Sequence, residues 1–80
     1  ILITHGPPLG ILDFTIKGQN AGSKLLLERV QKMQPRIHVF GHIHESGGIN
    51  RIGKTLFINA GQVDRNYDVA RKPYVVYYEL

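Results

Sequence analysis

Histidine carries most of the reactive chemistry in this 80-residue chain, which has four histidines and no cysteine. His5 closes the apolar run Ile1-Leu2-Ile3-Thr4, and His42 and His44 follow a second run, Arg36-Ile37-His38-Val39-Phe40-Gly41. With no thiolate available, any metal must rest on imidazole, carboxylate or amide ligands. Imidazole suits Zn, Fe and Mn, whereas Ca and Mg demand an oxygen cage that six scattered acids do not supply. A two-residue spacing on extended backbone points His42 and His44 to one side, and Gly41 before them permits close backbone approach or an unusual dihedral. A lone His-x-His is more often structural than ligating. A third histidine at a neighbouring strand end turns the pattern toward a metal site. His38 lacks that position and is read as a packed or surface histidine.

For His5 to meet the other two, the apolar runs must lie side by side and point the same way. Pro7 and Pro8 end the first strand, since neither can donate to a ladder, and a loop continues through Gly10 and Gly18 to about Gly22. Ser23 can cap a helix in which Leu26, Val30 and Met33 recur at helical spacing, with Leu27 widening the stripe, until Pro35 stops it. The second strand follows. Strand, helix and strand form a parallel crossover, which places the C-terminal ends of both strands on one edge of the sheet, where open α/β sheets bind ligands. Ile49 to Ile52 and Thr55 to Ile58 flank Gly53-Lys54 as a hairpin, and Tyr74, Val76, Tyr78 and Leu80 alternate as a last strand in which the tyrosines pack. The fold class is α/β, a crossover followed by antiparallel strands. One helix covers one face only, so the opposite face of a strand as apolar as Val39-Phe40 needs a further cover.

The hydrophobic fraction of 42% and charged fraction of 20% are those of a folding domain. A chain that opens inside a strand is expected to be one partial domain, residues 1 to 80, of a longer protein. The net charge of +4 raises nucleic acid as a partner, but the ten Lys and Arg residues are scattered and no aromatic residues interleave with them. Nucleic-acid binding is therefore not expected. Neither a membrane span nor a signal peptide is visible, so a cytoplasmic protein without membrane contact is expected.

Three strings carry a resemblance: Thr4-His5-Gly6-Pro7-Pro8-Leu9-Gly10 with Asp13 after it, Val39-Phe40-Gly41-His42-Ile43-His44-Glu45, and Ile58-Asn59-Ala60. In order and interval they resemble the C-terminal motifs of calcineurin-like metallophosphoesterases, with the metallophosphoesterase domain-containing branch most similar. The resemblance implies the C-terminal half of an αββα sandwich. It implies two divalent ions (Mn, Fe or Zn), with His5 and His42 on one and His44 on the other, acting on a phosphate ester, nucleotides among the candidates. Two cations about 3.5–4 Å apart clamp such an ester and activate water. Gly41, Asn59 and Asp13 are candidates for supporting the ligands or lying beside the substrate. Asn59, at a strand end, is placed to orient a ligating histidine, and Asp13 to do the same or to tie its own loop. The family's N-terminal motifs, an Asp-x-His pair, a bridging Asp and an Asn-His acid, have no counterpart here. The chain alone is expected to be inactive, and to pair with the missing half or with itself. A non-catalytic self-associating module and a mononuclear His-only zinc protein are the alternatives.

Overall fold

A computed structural model describes residues 1–61 of the chain. It contains strand β1 (Leu2–Ile3), helix α1 (Lys24–Met33), strand β2 (Ile37–Phe40), a 3-10 turn (His44–Ser46), and strands β3 (Gly48–Ile52) and β4 (Thr55–Asn59). The expected strand from Tyr74 to Leu80 lies outside the described residues.

Helix α1 has the ends its sequence calls for. The Ser23 hydroxyl accepts the Leu26 N–H at 3.1 Å, satisfying one of the donors that a first turn leaves unpaired. At the other end Gln34 adopts a left-handed conformation (φ 47°) and donates its N–H to the Val30 carbonyl, after which Pro35 blocks continuation. The face turned to the sheet is rotated from the one expected. Leu26, Leu27 and Val30 pack inward, but Met33 is 56% exposed. Leu27, Val30, Gln31 and Gln34 fall at i, i+3, i+4 and i+7 and line the space beside Phe57, which turns Met33 to the flank.

The four strands lie in the order β1-β2-β4-β3. Strand β1 is parallel to β2, as the crossover requires, with Leu2 opposite His38 and Ile3 opposite Val39. The hairpin is antiparallel, and Gly53 at its turn takes φ 58° where Lys54 does not, the signature of a two-residue turn with Gly first. Antiparallel order stops there. The strand inserted next to β2 is β4, running parallel to it with His38 opposite Phe57 and Phe40 opposite Asn59. The C-terminal ends of β1, β2 and β4 therefore share one edge, which carries Asn59 to the same rim as His5 and His42.

Alternation along the strands divides the sheet into two faces. Phe40 and Phe57 turn to α1 and, with Ile11 and Val30, form the core, against which Leu2, Leu12, Leu26 and Leu27 pack. Each of the four buried side chains contributes about 1.5–3 kcal/mol by leaving water. On the opposite face Ile37 and Ile58 are buried, while Val39 and Leu56 are half-buried. The most exposed apolar side chains of that face are Ile3 (76%) and Ile49 (47%), on β1 and β3, which each have one neighbour among the described strands. Among the described residues no helix is long and apolar enough to cross a membrane.

The loop after His5 is folded onto the start of α1. Pro7 and Pro8 are buried, and the chain there pairs with Ser23 through Ser23 N–H to Pro7 O and Leu9 N–H to Ser23 O, both 3.0 Å. Gly22 makes this approach possible, since a Cβ there would lie 2.3 Å from the Pro8 oxygen. Gly22→Ala is expected to cost about 1–3 kcal/mol by overpacking against backbone. Gly48→Ala, whose Cβ would meet only Leu12 Cδ2 at 3.5 Å, serves as control in the same urea melts. Equal midpoints for the two variants would refute the steric account.

Candidate metal centre

At the common edge, backbone bonds continue past the ends of β1 and β2. Thr4 N–H donates to Val39 O at 3.0 Å, and Gly41 N–H to His5 O at 3.1 Å, so His5 is held beside the residue that precedes His42. The Ile43 N–H then turns back to Gly41 O at 2.9 Å, closing a three-residue turn around His42, whose φ is 71°. A positive-φ γ-turn on a residue with a side chain is rare and costs about 1–3 kcal/mol.

That turn brings two rings together. His5 Nε2 lies 3.1 Å from His42 Nδ1, with ring centroids 4.6 Å apart and planes tilted by 46°. Both side chains are exposed, so ligand access is open. His44 is half-buried at the start of the 3-10 turn. An open cleft of about 400 Å³ is lined by Gly41, His42 and His44 together with Val39, Phe40 and Gly61. Among the described residues no group of three or more His, Asp or Glu side chains comes together to hold a single ion. The extended backbone expected from His42 to His44 is absent, because the γ-turn and the 3-10 turn replace it; a period of two no longer describes where the rings point.

The unusual dihedral belongs to His42 and not to Gly41. Gly41 does not take a positive φ, and a Cβ on it would meet nothing within 4 Å, so it borders open space at the cleft. Asn59, 0% exposed, spends its amide on backbone: Nδ2 donates to Leu12 O (3.1 Å) and Ile43 O (3.0 Å), and Oδ1 accepts Gly61 N–H (3.1 Å). It acts on the carbonyl of Ile43, between His42 and His44, and so through backbone and not through a ring nitrogen. Asp13, 1% exposed, ties its own loop, Oδ2 accepting the N–H groups of Gly10 and Gly22 at 2.8 Å each. The 3-10 turn is tied to the same loop by Ile16 N–H to Glu45 Oε2 (3.0 Å) and by the Ser46 hydroxyl to Phe14 O.

His38 is packed, as its mid-strand position suggested, and it is also bonded in a way the spacing did not reveal. It is 0% exposed, its Nε2 lies 2.9 Å from the Thr4 hydroxyl, and Phe40 and Phe57 meet it edge-on at 5.0 and 5.7 Å between centroids. A polar ring alternating with Phe40 on the core face of an apolar strand was the available signal.

The donor set suits a divalent transition metal. Two neutral imidazoles with facing nitrogens can hold Zn, Fe or Mn, and the missing side chain at Gly41 leaves room beside them. The family profile described as "Metallophosphoesterase, calcineurin superfamily" matches residues 1–70. The chain belongs to this metallophosphoesterase family. "Metallophosphoesterase domain-containing protein 1" of Homo sapiens is 50% identical over 78 residues, covering 95% of this chain and 24% of that protein. Two UPF0046 proteins of Caenorhabditis elegans are 43% identical over 77 residues and 42% over 76, covering 96% and 94% of this chain and 26% and 19% of theirs. The chain thus spans about a fifth to a quarter of the length of these curated relatives.

Burial holds the His38 imidazole below its ordinary value of 6.5 by desolvating the charged form. The unfolded chain takes up this proton as pH falls through 6.5, and the folded chain resists it. The contribution to stability is therefore complete above 6.5 and is lost as pH falls from there toward the lower folded value. Urea melts taken from about pH 8 down to about pH 5 should show this loss, and His38→Gln, which does not titrate, should reduce it. Identical pH dependence in both proteins would contradict the assignment.

Proposed function

We propose that this chain supplies the histidine side of a two-metal phosphoesterase centre, with His5 and His42 on one ion and His44 on the other. One observation carries the reading. Nitrogens from residues 37 apart in sequence lie 3.1 Å from each other, and with metal–nitrogen bonds of about 2.0–2.1 Å that separation subtends an angle of about 100° at a shared ion. His5 would offer Nε2 and His42 Nδ1, each with its proton on the other ring nitrogen. In the described arrangement one ring donates to the other, so one of the two must change tautomer when both lone pairs are used.

Divalent ions, when bound, would polarise a phosphate ester and activate the attacking water. The residues of this chain hold the ligands. Gly41 N–H fixes the His5 carbonyl, Asn59 fixes the Ile43 carbonyl between the other two histidines, and the cleft at Gly41 leaves space for the ester. Family membership and the likeness to the human metallophosphoesterase domain-containing protein support a phosphate ester as substrate. In this reading the bridging carboxylate and the general acid belong to the remainder of the domain, which is the partner of this chain. A single zinc on three histidines is disfavoured, since no three-ligand group is assembled among the described residues.

Titration of Zn or Mn by calorimetry tests the ligands. His5→Ala and His42→Ala should each weaken binding about 10-fold or more, the loss known even for residues behind the ligands, while Glu28→Ala on the exposed side of α1 should not. Unchanged affinity in His5→Ala would refute the shared ion. The 80-residue chain alone, assayed with bis-p-nitrophenyl phosphate and Mn, should show no appreciable hydrolysis. Turnover at rates typical of enzymes would show that the remainder of the domain is not required.

A further inference from the structure

The Thr4 hydroxyl has one hydrogen, and the structure gives it two partners: Gly6 O at 2.8 Å and His38 Nε2 at 2.9 Å. A carbonyl can only accept, so the hydrogen goes to Gly6. His38 Nε2 must then be the donor to Thr4, which puts its single proton on Nε2 and leaves Nδ1 as a bare lone pair. Nδ1 is buried and has no partner among the described residues. An imidazolium would place a second N–H at that position with nothing to receive it. Burial, which disfavours the charged ring, agrees with this tautomer.

A buried polar atom without a partner costs about 1–3 kcal/mol. Phenylalanine would fill the space between Phe40 and Phe57 without that cost, so packing does not account for a histidine here. What it adds is one N–H aimed at Thr4. The relay runs from the His38 ring to the Thr4 hydroxyl and on to the Gly6 carbonyl, and so grips the residues on both sides of His5. The His5 carbonyl is meanwhile held by Gly41 N–H, next to His42.

We propose that His38 is a positioning residue for the metal ligand His5, acting through Thr4 and Gly6 to hold the His5 imidazole against that of His42. The proposal rests on the reading of His5 and His42 as ligands of one ion. It also makes a claim about the loop that is independent of metal: without the relay, the His5 backbone loosens and the Gly41 amide loses its acceptor part of the time.

The test uses the full-length protein with His38→Phe, His38→Gln, Thr4→Val and Thr4→Ser. Gln can carry an N–H to about the place of Nε2 and Ser keeps the hydroxyl, whereas Phe and Val pack without bonding. Hydrogen exchange is read at Gly41, bonded to His5 O, and at Leu56, bonded to Arg36 O at 2.9 Å away from this edge. In metal-free protein His38→Phe and Thr4→Val should speed Gly41 exchange while leaving Leu56 unchanged, and Gln and Ser should restore it. In Zn or Mn titrations the same two variants should lose about 10-fold in affinity, with the double variant no worse than either single one because one relay is broken once. Unchanged Gly41 exchange in Thr4→Val overturns the proposal. So does faster exchange at Gly41 and Leu56 alike with no rescue by Gln, which would make His38 a packing residue. Should His38→Phe fail to fold, the Thr4 pair decides the same bond. Wild-type protein that binds no metal would overturn the ligand reading, and the exchange at Gly41 would still decide the relay.

Discussion

Backbone N–H and C=O groups that leave water must find partners, and at the C-terminal edge of this sheet the chain has left its strands and helix behind. Side chains take over there. Asn59 serves Leu12, Ile43 and Gly61, Asp13 serves Gly10 and Gly22, and Thr4 with His38 serves Gly6. Asn59 and Asp13 are almost wholly buried, where an unsatisfied group would cost about 1–3 kcal/mol, so each bond is strongly enforced. The loops carrying His5, His42 and His44 take their shape from these few polar residues. The apolar core sets where the edge is, and the buried polar residues set how the loops run along it.

The same constraint explains how a strained residue is kept at the site. His42 sits at φ 71° in a turn that an isolated chain would relax. The residues on either side of it are held from outside, Gly41 through its N–H by the His5 carbonyl and Ile43 through its carbonyl by Asn59. With both neighbours fixed, an extended backbone at His42 would break one of these bonds. The strain falls on the residue whose Nδ1 lies 3.1 Å from the His5 ring.

Much of this was legible in the chain. Ser23, Pro35 and the spacing of Leu26 and Val30 gave the helix, and the two apolar runs gave parallel strands whose ends bring His5 to His42. These features are local, or follow from the handful of ways in which a strand, a helix and a strand can connect. Three things went unread. That β4 rather than β3 lies beside β2 was signalled by the apolar run Leu56-Phe57-Ile58, the mark of a strand covered on both faces, against Asn50-Arg51 in β3. Gly41 attracted the unusual dihedral because glycine bears it without cost, yet the γ-turn is imposed on His42 by bonds from distant segments. His38 looked inert because strand spacing says which face a residue takes, while its role depends on a hydroxyl 34 residues away.

Charge also bears on this edge. The chain carries +4 overall, and its described carboxylates have other bonds or surroundings than the histidine pair. Asp13 is buried in its loop, Glu45 accepts Ile16 N–H, and Glu28 lies on the exposed side of α1. A divalent ion held by His5 and His42 would keep its full charge, since neutral imidazoles supply geometry without neutralisation. In the proposed reading, such an ion would attract an anion able to reach the exposed pair, a phosphate ester among them. In that reading, the side from which water would reach the phosphorus, and which P–O bond would break, would be set by the groups that share the ion with these two rings.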